Sequence, residues 1–250
     1  MIAYLETIVQ QRDVHSAWVL HCARMADYGF NRLLYAYTRF HRLAAFGHLD
    51  DMLILSNHSQ EYLDHYTSGG MFEDAPMVKW AASNEGACSW QWGENLYHSG
   101  QLGPRAVELR EFNIKHGVVA GYSIAFPDTT TRKGGIGLCA QEGISQAQVE
   151  EIWAKYGRDI ILQNTVFHLQ VSSMPHVKNT LSGRQREALE GVANGKTLAE
   201  IATLMGLSVQ TIEKHLRRAR EVLDVETTAQ AVLKASVQQQ IFNRRPTEKT

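Results

Sequence analysis

The sequence predicts two folds in one chain. The first is an α/β N-terminal domain, read as an α/β/α sandwich with an antiparallel sheet. The second is an all-α C-terminal domain of four helices built around a helix-turn-helix. Three observations carry this reading. A length of 250 residues is enough for two domains. Strand-like and helix-like apolar segments are mixed as far as Val171, after which only helical periodicity remains. Charge divides at the same place: residues 181–250 hold eleven Lys and Arg against eight Asp and Glu, and the rest is net acidic by four in a chain of net charge −1. A mildly acidic body with a basic C-terminal module suits a protein whose tail end meets phosphates.

The upstream elements follow in order. Val14–Tyr28 is amphipathic and stops before Gly29, so it reads as a helix. Arg32–Phe40, rich in Leu, Tyr and Phe, reads as a strand, and Met52–Ser56 as a second. Ser59–Tyr66, Pro76–Ser83 and Pro104–His116 read as helices, the last two with Pro in the first turn. Gly121–Phe126 and Gly135–Ala140 are short apolar strands, and Gly121, Gly134, Gly135 and Gly137 are assigned to turns and close strand packing. Gln146–Val171 is a long helix with Val149, Ile152, Trp153, Tyr156, Ile160 and Phe167 on its apolar side. The polar run after it contains Pro175 and reads as a linker. The expected organisation is therefore residues 1–172, a linker over 173–180, a helical module over 181–242 and a disordered tail over 243–250.

In the helical module, Leu198, Ile201, Ala202 and Met205 mark a short helix that Gly206 ends. Ser208 then caps a second helix with Ile212, Leu216, Ala219 and Leu223 at buried spacing. Its other face carries Gln210, Lys214, Arg217 and Arg218. A basic outer face on the second of two helices joined by a tight turn makes a helix-turn-helix. The bland alternative is a solvated surface, but three Arg (217, 218 and 220) beside Lys214 favour a polyanion partner. A last helix over Thr228–Gln240 offers Ala229, Val232, Leu233 and Ser236 as a dimer stripe.

Other classes recede. The three cysteines, Cys22, Cys88 and Cys139, have no metal-ligand spacing and read as free thiols in a reducing, cytoplasmic setting. No signal peptide and no membrane span are expected. His58 and His65, like His41 and His48, lie seven residues apart and lack the spacing of a helical zinc site, so no metal is expected. A thiol hydrolase using Cys88 and His98 lacks a nucleophile elbow, so no catalytic residue is assigned and no cofactor is implied.

Two resemblances sharpen the reading. The run Leu181-Ser182-x-Arg184, Leu189, Ala193-x-Gly195-Lys196-Thr197, Glu200-Ile201-Ala202, Ser208-x-x-Thr211-Ile212-x-x-His215 and Leu223-Asp224-Val225 resembles the LuxR-type helix-turn-helix. Gln185 stands where that family usually has Glu. The resemblance implies a homodimer on a palindromic operator in double-stranded DNA. It places Gln210, Lys214 and Arg217 at base edges, and Thr211, Arg218 and Lys196 at phosphates. Upstream, Tyr62-x-x-x-Tyr66, Pro76, Trp90 and Gly121 resemble the acyl-homoserine-lactone-binding domain of quorum-sensing LuxR regulators.

That second resemblance implies a transcription regulator controlled by a small signal molecule, an N-acyl-homoserine lactone. Trp90 would donate to the ring carbonyl, Tyr66 to the amide carbonyl, and an Asp carboxylate would accept the amide N–H. His58, Tyr62 and Trp80 complete the ligand set. The sequence departs from the pattern at several positions. Ala75 stands where the Asp belongs, with Asp74 one residue earlier as its substitute; Tyr62 replaces a Trp, His58 a Tyr, and Cys139-Ala140 a Ser or Thr. Asp74 before Ala75-Pro76 also reads as a helix N-cap, a common motif at helix starts, and Tyr62 and Trp80 read equally as core aromatics. The alternative function is a LuxR-type regulator that is ligand-independent, or that responds to another small molecule or a protein partner.

Overall fold

The computed structural model describes residues 1–38, 52–127, 133–174 and 180–242. The chain divides into two compact units, Met1–Ser172 and Ser173–Thr250. Among the described residues no helix is long and apolar enough to cross a membrane.

The first unit opens with helices α1 (Ile2–Ile8) and α2 (Val14–Ala26), the latter capped by the Asp13 carboxylate. Strands β1 (Phe30–Thr38) and β2 (Met52–Ser56) follow. Next come α3 (Gln60–Leu63), a π turn (Asp64–Ser68), a 3-10 turn (Met71–Asp74) and α4 (Pro76–Ser83). Strand β3 (Gly86–Ser89), α5 (Gln91–His98), α6 (Pro104–Lys115), β4 (Gly121–Ala125), β5 (Lys133–Ala140) and α7 (Gln146–Ser172) complete it. The last two residues of the expected strand Arg32–Phe40, the pair His41 and His48, most of the linker and the tail over 243–250 lie outside the described residues.

The five strands form one antiparallel sheet in the order β2-β1-β5-β4-β3. Its two faces differ because strand side chains alternate. One face carries Leu33, Tyr35 and Tyr37 of β1, Tyr122 of β4 and Leu138 of β5, all buried. Helix α7 covers it: Trp153 stacks on Tyr122 at 3.7 Å, and Phe167 meets Tyr35 edge-on at 5.4 Å. Helix α2 packs behind, with its buried His21 stacked on Phe167 at 4.1 Å. A buried chain of hydrogen bonds runs from the Tyr4 hydroxyl to His21 Nδ1 (2.6 Å) and from His21 Nε2 to Asn164 Oδ1 (3.0 Å), tying α1 to α2 and α7.

The other face is lined by small residues. In register across it stand Leu34 and Ala36 of β1, Gly137 and Gly135 of β5, and Ser123 and Ala125 of β4. None of Gly121, Gly134, Gly135 and Gly137 has a positive φ, so the turn role expected for them gives way to close approach. A Cβ on Gly121 would lie 2.2 Å from the Leu138 carbonyl oxygen and 3.1 Å from the Trp90 ring; one on Gly134 would lie 2.8 Å from His168. Glycine inside a strand marks where another group must come near.

The second unit holds α8 (Gly183–Ala193), α9 (Leu198–Met205), α10 (Val209–Leu223) and α11 (Thr228–Val237). Each starts at a side-chain cap. Ser182 with Gln185, Thr197 with Glu200 and Thr227 with Gln230 form reciprocal capping boxes, and Ser208 accepts from Thr211 N–H. Gln185 thus serves as the reciprocal partner without a charge. Gly206 ends α9 in the left-handed conformation at φ 64°, leaving a tight turn before α10. Leu189, Ile201, Ile212, Leu216, Ala219, Ala231 and Ala235 close the core between the four helices.

Candidate ligand cavity and nucleic-acid interface

Between the small-residue face of the sheet and helices α3 to α6 lies a cavity of about 550 Å³. This lies within the range of roughly 300–1,000 Å³ usual for small-molecule sites. Its floor is Leu34, Ala36, Gly135 and Gly137; Trp90, Ser123, His58, Tyr62 and Tyr66 also line it, and Tyr62, Tyr66 and Trp90 belong to one packed cluster. Four of the six expected ligand residues are therefore brought together: His58, Tyr62, Tyr66 and Trp90.

Asp74 and Trp80 are not among the lining residues. The Asp74 carboxylate faces the other way, held by Arg105 Nε at 3.0 Å and Lys79 Nζ at 3.2 Å. Ala75, the next residue, lines the cavity in its place and is buried. Trp80 packs with Met52 and Val78 against Ala81 and Ala125, as a core aromatic.

The polar groups of the wall differ in how they are used. Rings of His58, Tyr62 and Tyr66 form a column, 4.6 Å and 5.5 Å apart between centroids. The Tyr62 hydroxyl donates to Asn113 Oδ1 at 2.9 Å. The Tyr66 hydroxyl, carried on the π turn, has no hydrogen-bond partner among the described residues. Single π turns are frequent at functional sites. Burial pushes both hydroxyls well above the usual tyrosine range, so each keeps its proton at neutral pH. Burial, with Arg32 nearby, lowers His58 to about 4, so its ring is neutral and offers one donor and one acceptor.

The Trp90 indole N–H, expected to face a ligand carbonyl, donates instead to Ser123 Oγ at 3.0 Å. Ser123 was not singled out in the sequence, although a lone hydroxyl inside the apolar strand Gly121–Phe126 is a readable signal. A second unforeseen pair is Glu94 on α5 and Arg110 on α6, both lining the cavity. Arg110 Nε and Nη2 reach the Glu94 carboxylate at 2.8–3.2 Å, and its guanidinium lies 4.0 Å over the Tyr97 ring. The thiols are protonated: burial pushes Cys139 up to about 11 and Cys22 to about 12, and burial with Glu150 nearby raises Cys88. Among the described residues no cluster of His, Cys, Asp and Glu could hold a metal.

In the helical unit, α10 buries Ile212, Leu216, Ala219 and Leu223 and exposes Gln210, Lys214, Arg217 and Arg218. Lys196, before α9, is exposed beside them, and a groove brings together Lys196, Gln210, Lys214 and Arg217 with Arg220 and Glu213. Arg217 meets Glu221 only loosely, at 3.7 Å, and both are exposed. Thr211 is half-buried, its hydroxyl bonded to that of Ser208 at 2.9 Å, so it holds the helix start as well. Arg218 lies outside the groove, on the exposed side of the helix.

Comparison with known proteins covers both units. Residues 13–171 match the family described as the autoinducer binding domain, and residues 175–223 match sigma-70, region 4. The chain is 22% identical over 189 residues to the transcriptional activator protein LuxR of Aliivibrio fischeri, covering 74% of this chain and 73% of that one. It is 21% identical over 194 residues to the transcriptional activator protein CarR of Pectobacterium carotovorum subsp. carotovorum, covering 73% and 77%. Among solved structures, SdiA in complex with octanoyl-rac-glycerol is similar at TM-score 0.54 and 14% identity, covering 94% of this chain and 92% of that one. The N-acylhomoserine lactone dependent LuxR family factor CepR2 of Burkholderia cenocepacia is similar at TM-score 0.53 and 18% identity, covering 68% and 94%. At these identities the solved structures support the fold alone.

Proposed function

We propose, for a chain that belongs to the LuxR family of autoinducer-binding transcription regulators, that its N-terminal cavity takes an N-acyl-homoserine lactone. One observation carries this reading: the Tyr66 hydroxyl, which keeps its proton and has no hydrogen-bond partner among the described residues, stands in a largely apolar cavity of about 550 Å³. An acyl carbonyl would accept from it, a hydrogen bond of about 0.5–1.5 kcal/mol. The acyl tail would fill the space over Ala36, Gly135 and Gly137. His58 and Tyr62 form the wall, and Trp90 acts through Ser123.

The test is thermal denaturation of the full chain with short-, medium- and long-chain N-acyl-homoserine lactones. Stabilisation by at least one supports the reading; no shift with any of them refutes it. Mass spectrometry of the small molecules extracted from the purified protein would identify what it carries.

The helical unit is a DNA-binding module that in this reading acts as a homodimer on a palindromic operator. One recognition helix spans a few base pairs, and two must reach half-sites about 34 Å apart. Gln210, Lys214 and Arg217 read bases, while Lys196, Thr211 and Arg218 hold phosphates. Leu233 on α11 is 62% exposed and, with Ala229, Val232 and Ser236, offers the dimer contact. The protein works in the cytoplasm and performs no catalysis of its own. A second reading, a ligand of another class, draws support from Ala75 and from the engaged Trp90 indole.

A further inference from the structure

We propose that the cavity recognises an acyl ligand through carbonyl oxygens and offers no charged acceptor to an amide N–H, so that an acyl ester binds nearly as well as the matching amide. This rests on the reading that acyl lactones are the ligands.

Donors are plentiful. Among the described residues the Tyr66 hydroxyl has no partner, and Ser123, which accepts from Trp90, keeps its own hydroxyl hydrogen to give. Asn113 uses its amide oxygen for Tyr62, so its NH₂ remains available at the lining. Neutral His58 adds one more.

Anionic acceptors are wanting. The one carboxylate among the described lining residues is Glu94, and its two oxygens are forked by Arg110 at 2.8–3.2 Å. Asp74, close in sequence, is turned to Lys79 and Arg105. Ala75 lines the cavity with a methyl group. Besides Glu94, what the described lining residues can offer an N–H is a neutral oxygen or nitrogen, and hydrogen bonds to neutral partners are roughly half as strong as those to charged ones.

An acyl amide and an acyl ester differ at one atom group. The amide presents N–H; the ester presents an oxygen with lone pairs. A site with a free carboxylate gains from the first and repels the second. A site of donors with neutral acceptors separates them little. Specificity is therefore relaxed at the linkage and rests on the carbonyls and the tail.

The experiment uses the full chain and two probes. One is the N-acyl-homoserine lactone that stabilises it best; the other is the ester of the same acid with α-hydroxy-γ-butyrolactone. Calorimetry or fluorescence titration gives the ratio of dissociation constants. A preference for the amide below tenfold, equivalent to about 1.4 kcal/mol, is expected. A preference of tenfold or more overturns the inference and leaves the acyl-lactone reading intact. If neither probe binds, the acyl-lactone reading itself falls, and this inference with it.

Two variants locate the cause. Ala75→Asp should push the preference beyond tenfold, and an unchanged ratio would overturn the assignment of Ala75 as the determinant. Asp74→Asn, at a carboxylate turned away from the cavity, should leave the ratio as it is. A tenfold loss confined to the amide would assign the N–H to Asp74 and overturn the proposal. The wild-type ratio stands as a test even if Ala75→Asp fails to fold.

Discussion

Tyr66→Phe removes a single oxygen from the cavity wall, and the structure fixes the sign of its effect in two states. Without ligand the hydroxyl has no partner among the described residues, while the ring keeps its place beside Tyr62 at 5.5 Å. Unfolding free energy should then stay within about 0.5 kcal/mol of the wild type. With an acyl lactone bound, the variant loses one hydrogen bond, about 0.5–1.5 kcal/mol, which is roughly a two- to thirteenfold rise in Kd. At a ligand concentration a hundred times the wild-type Kd, binding stabilises the wild type by about 2.7 kcal/mol. A tenfold weaker variant would gain roughly half of that, so its ligand-induced rise in Tm should roughly halve. Tyr62→Phe is the control. Its hydroxyl donates to Asn113 at 2.9 Å, so it should lose about 0.5–1.5 kcal/mol even without ligand. Paired denaturation curves and titrations decide the matter. The reasoning is refuted if Tyr66→Phe costs more than about 1 kcal/mol in the free protein, or if it binds the ligand as tightly as the wild type.

Three further expectations concern the rest of the molecule. Burial lowers His21 to about 3, so between that value and the unfolded value near 6.5 the unfolded chain takes up the proton that the folded one refuses. Its contribution is intact above pH about 6.5 and drains away as pH falls toward 3, by at most about 1.4 kcal/mol per pH unit. His58 and His168, each lowered to about 4, act in the same sense. Urea midpoints should fall from pH 7 to pH 5, with a shallower slope in His21→Gln; a flat profile in the wild type would contradict this. Arg217→Ala should cost about 1–3 kcal/mol on operator DNA while the oligomeric state is unchanged, and equal binding in a mobility-shift titration would remove Arg217 from the interface. Gly121→Ala places a methyl 2.2 Å from a backbone oxygen and should destabilise the protein by about 1–3 kcal/mol, read as a lower Tm.

What could be read from the chain follows the range of the forces that shape each part. The helix-turn-helix is local chemistry: Ser208 caps α10, Gly206 turns the chain, and Thr197 pairs with Glu200 three residues away. Each signal sits within a few residues of the element it governs. Helix α1 has no local signature, because its seven residues are anchored by Tyr4 on His21, 17 positions away. Helix α5 and strand β3 contain no buried residue, so no apolar rhythm announces them. The lining role of Gly135 and Gly137 depends on which face of β5 meets which helices, a fact of register that no periodicity encodes. Asp74 illustrates the same limit at the scale of one residue. Its partners, Lys79 and Arg105, lie five and thirty-one positions along, and only the fold decides that it turns away while Ala75 turns in. Tyr62 answers to both of its sequence readings, since the ring lines the cavity and the hydroxyl ties α3 to α6.

The unequal packing of the two faces of the sheet leads to a last prediction. Behind β1, helix α7 buries Val149, Ile160, Phe167, Val171 and four other residues, and α2 buries Ala17, Trp18, His21 and Met25. On the cavity side α5 buries none, α4 buries Ala81 alone, and every residue of β2 and β3 is only half-buried. Local opening is easiest where apolar contacts are fewest. Amide hydrogens of α3 to α6 should therefore exchange faster than those of α2 and α7 in the free protein. A ligand that fills the cavity replaces the missing contacts and buries apolar surface at about 25 cal/mol per Å², and it can do so only on that side. Hydrogen exchange followed by mass spectrometry should show protection gained in the segments 60–115 and little change in 146–172. Equal protection on both sides would mean that the ligand stabilises the domain as a whole, so that the cavity side is no softer than the rest. Protection confined to 146–172 would place the binding site elsewhere and refute the assignment of the cavity.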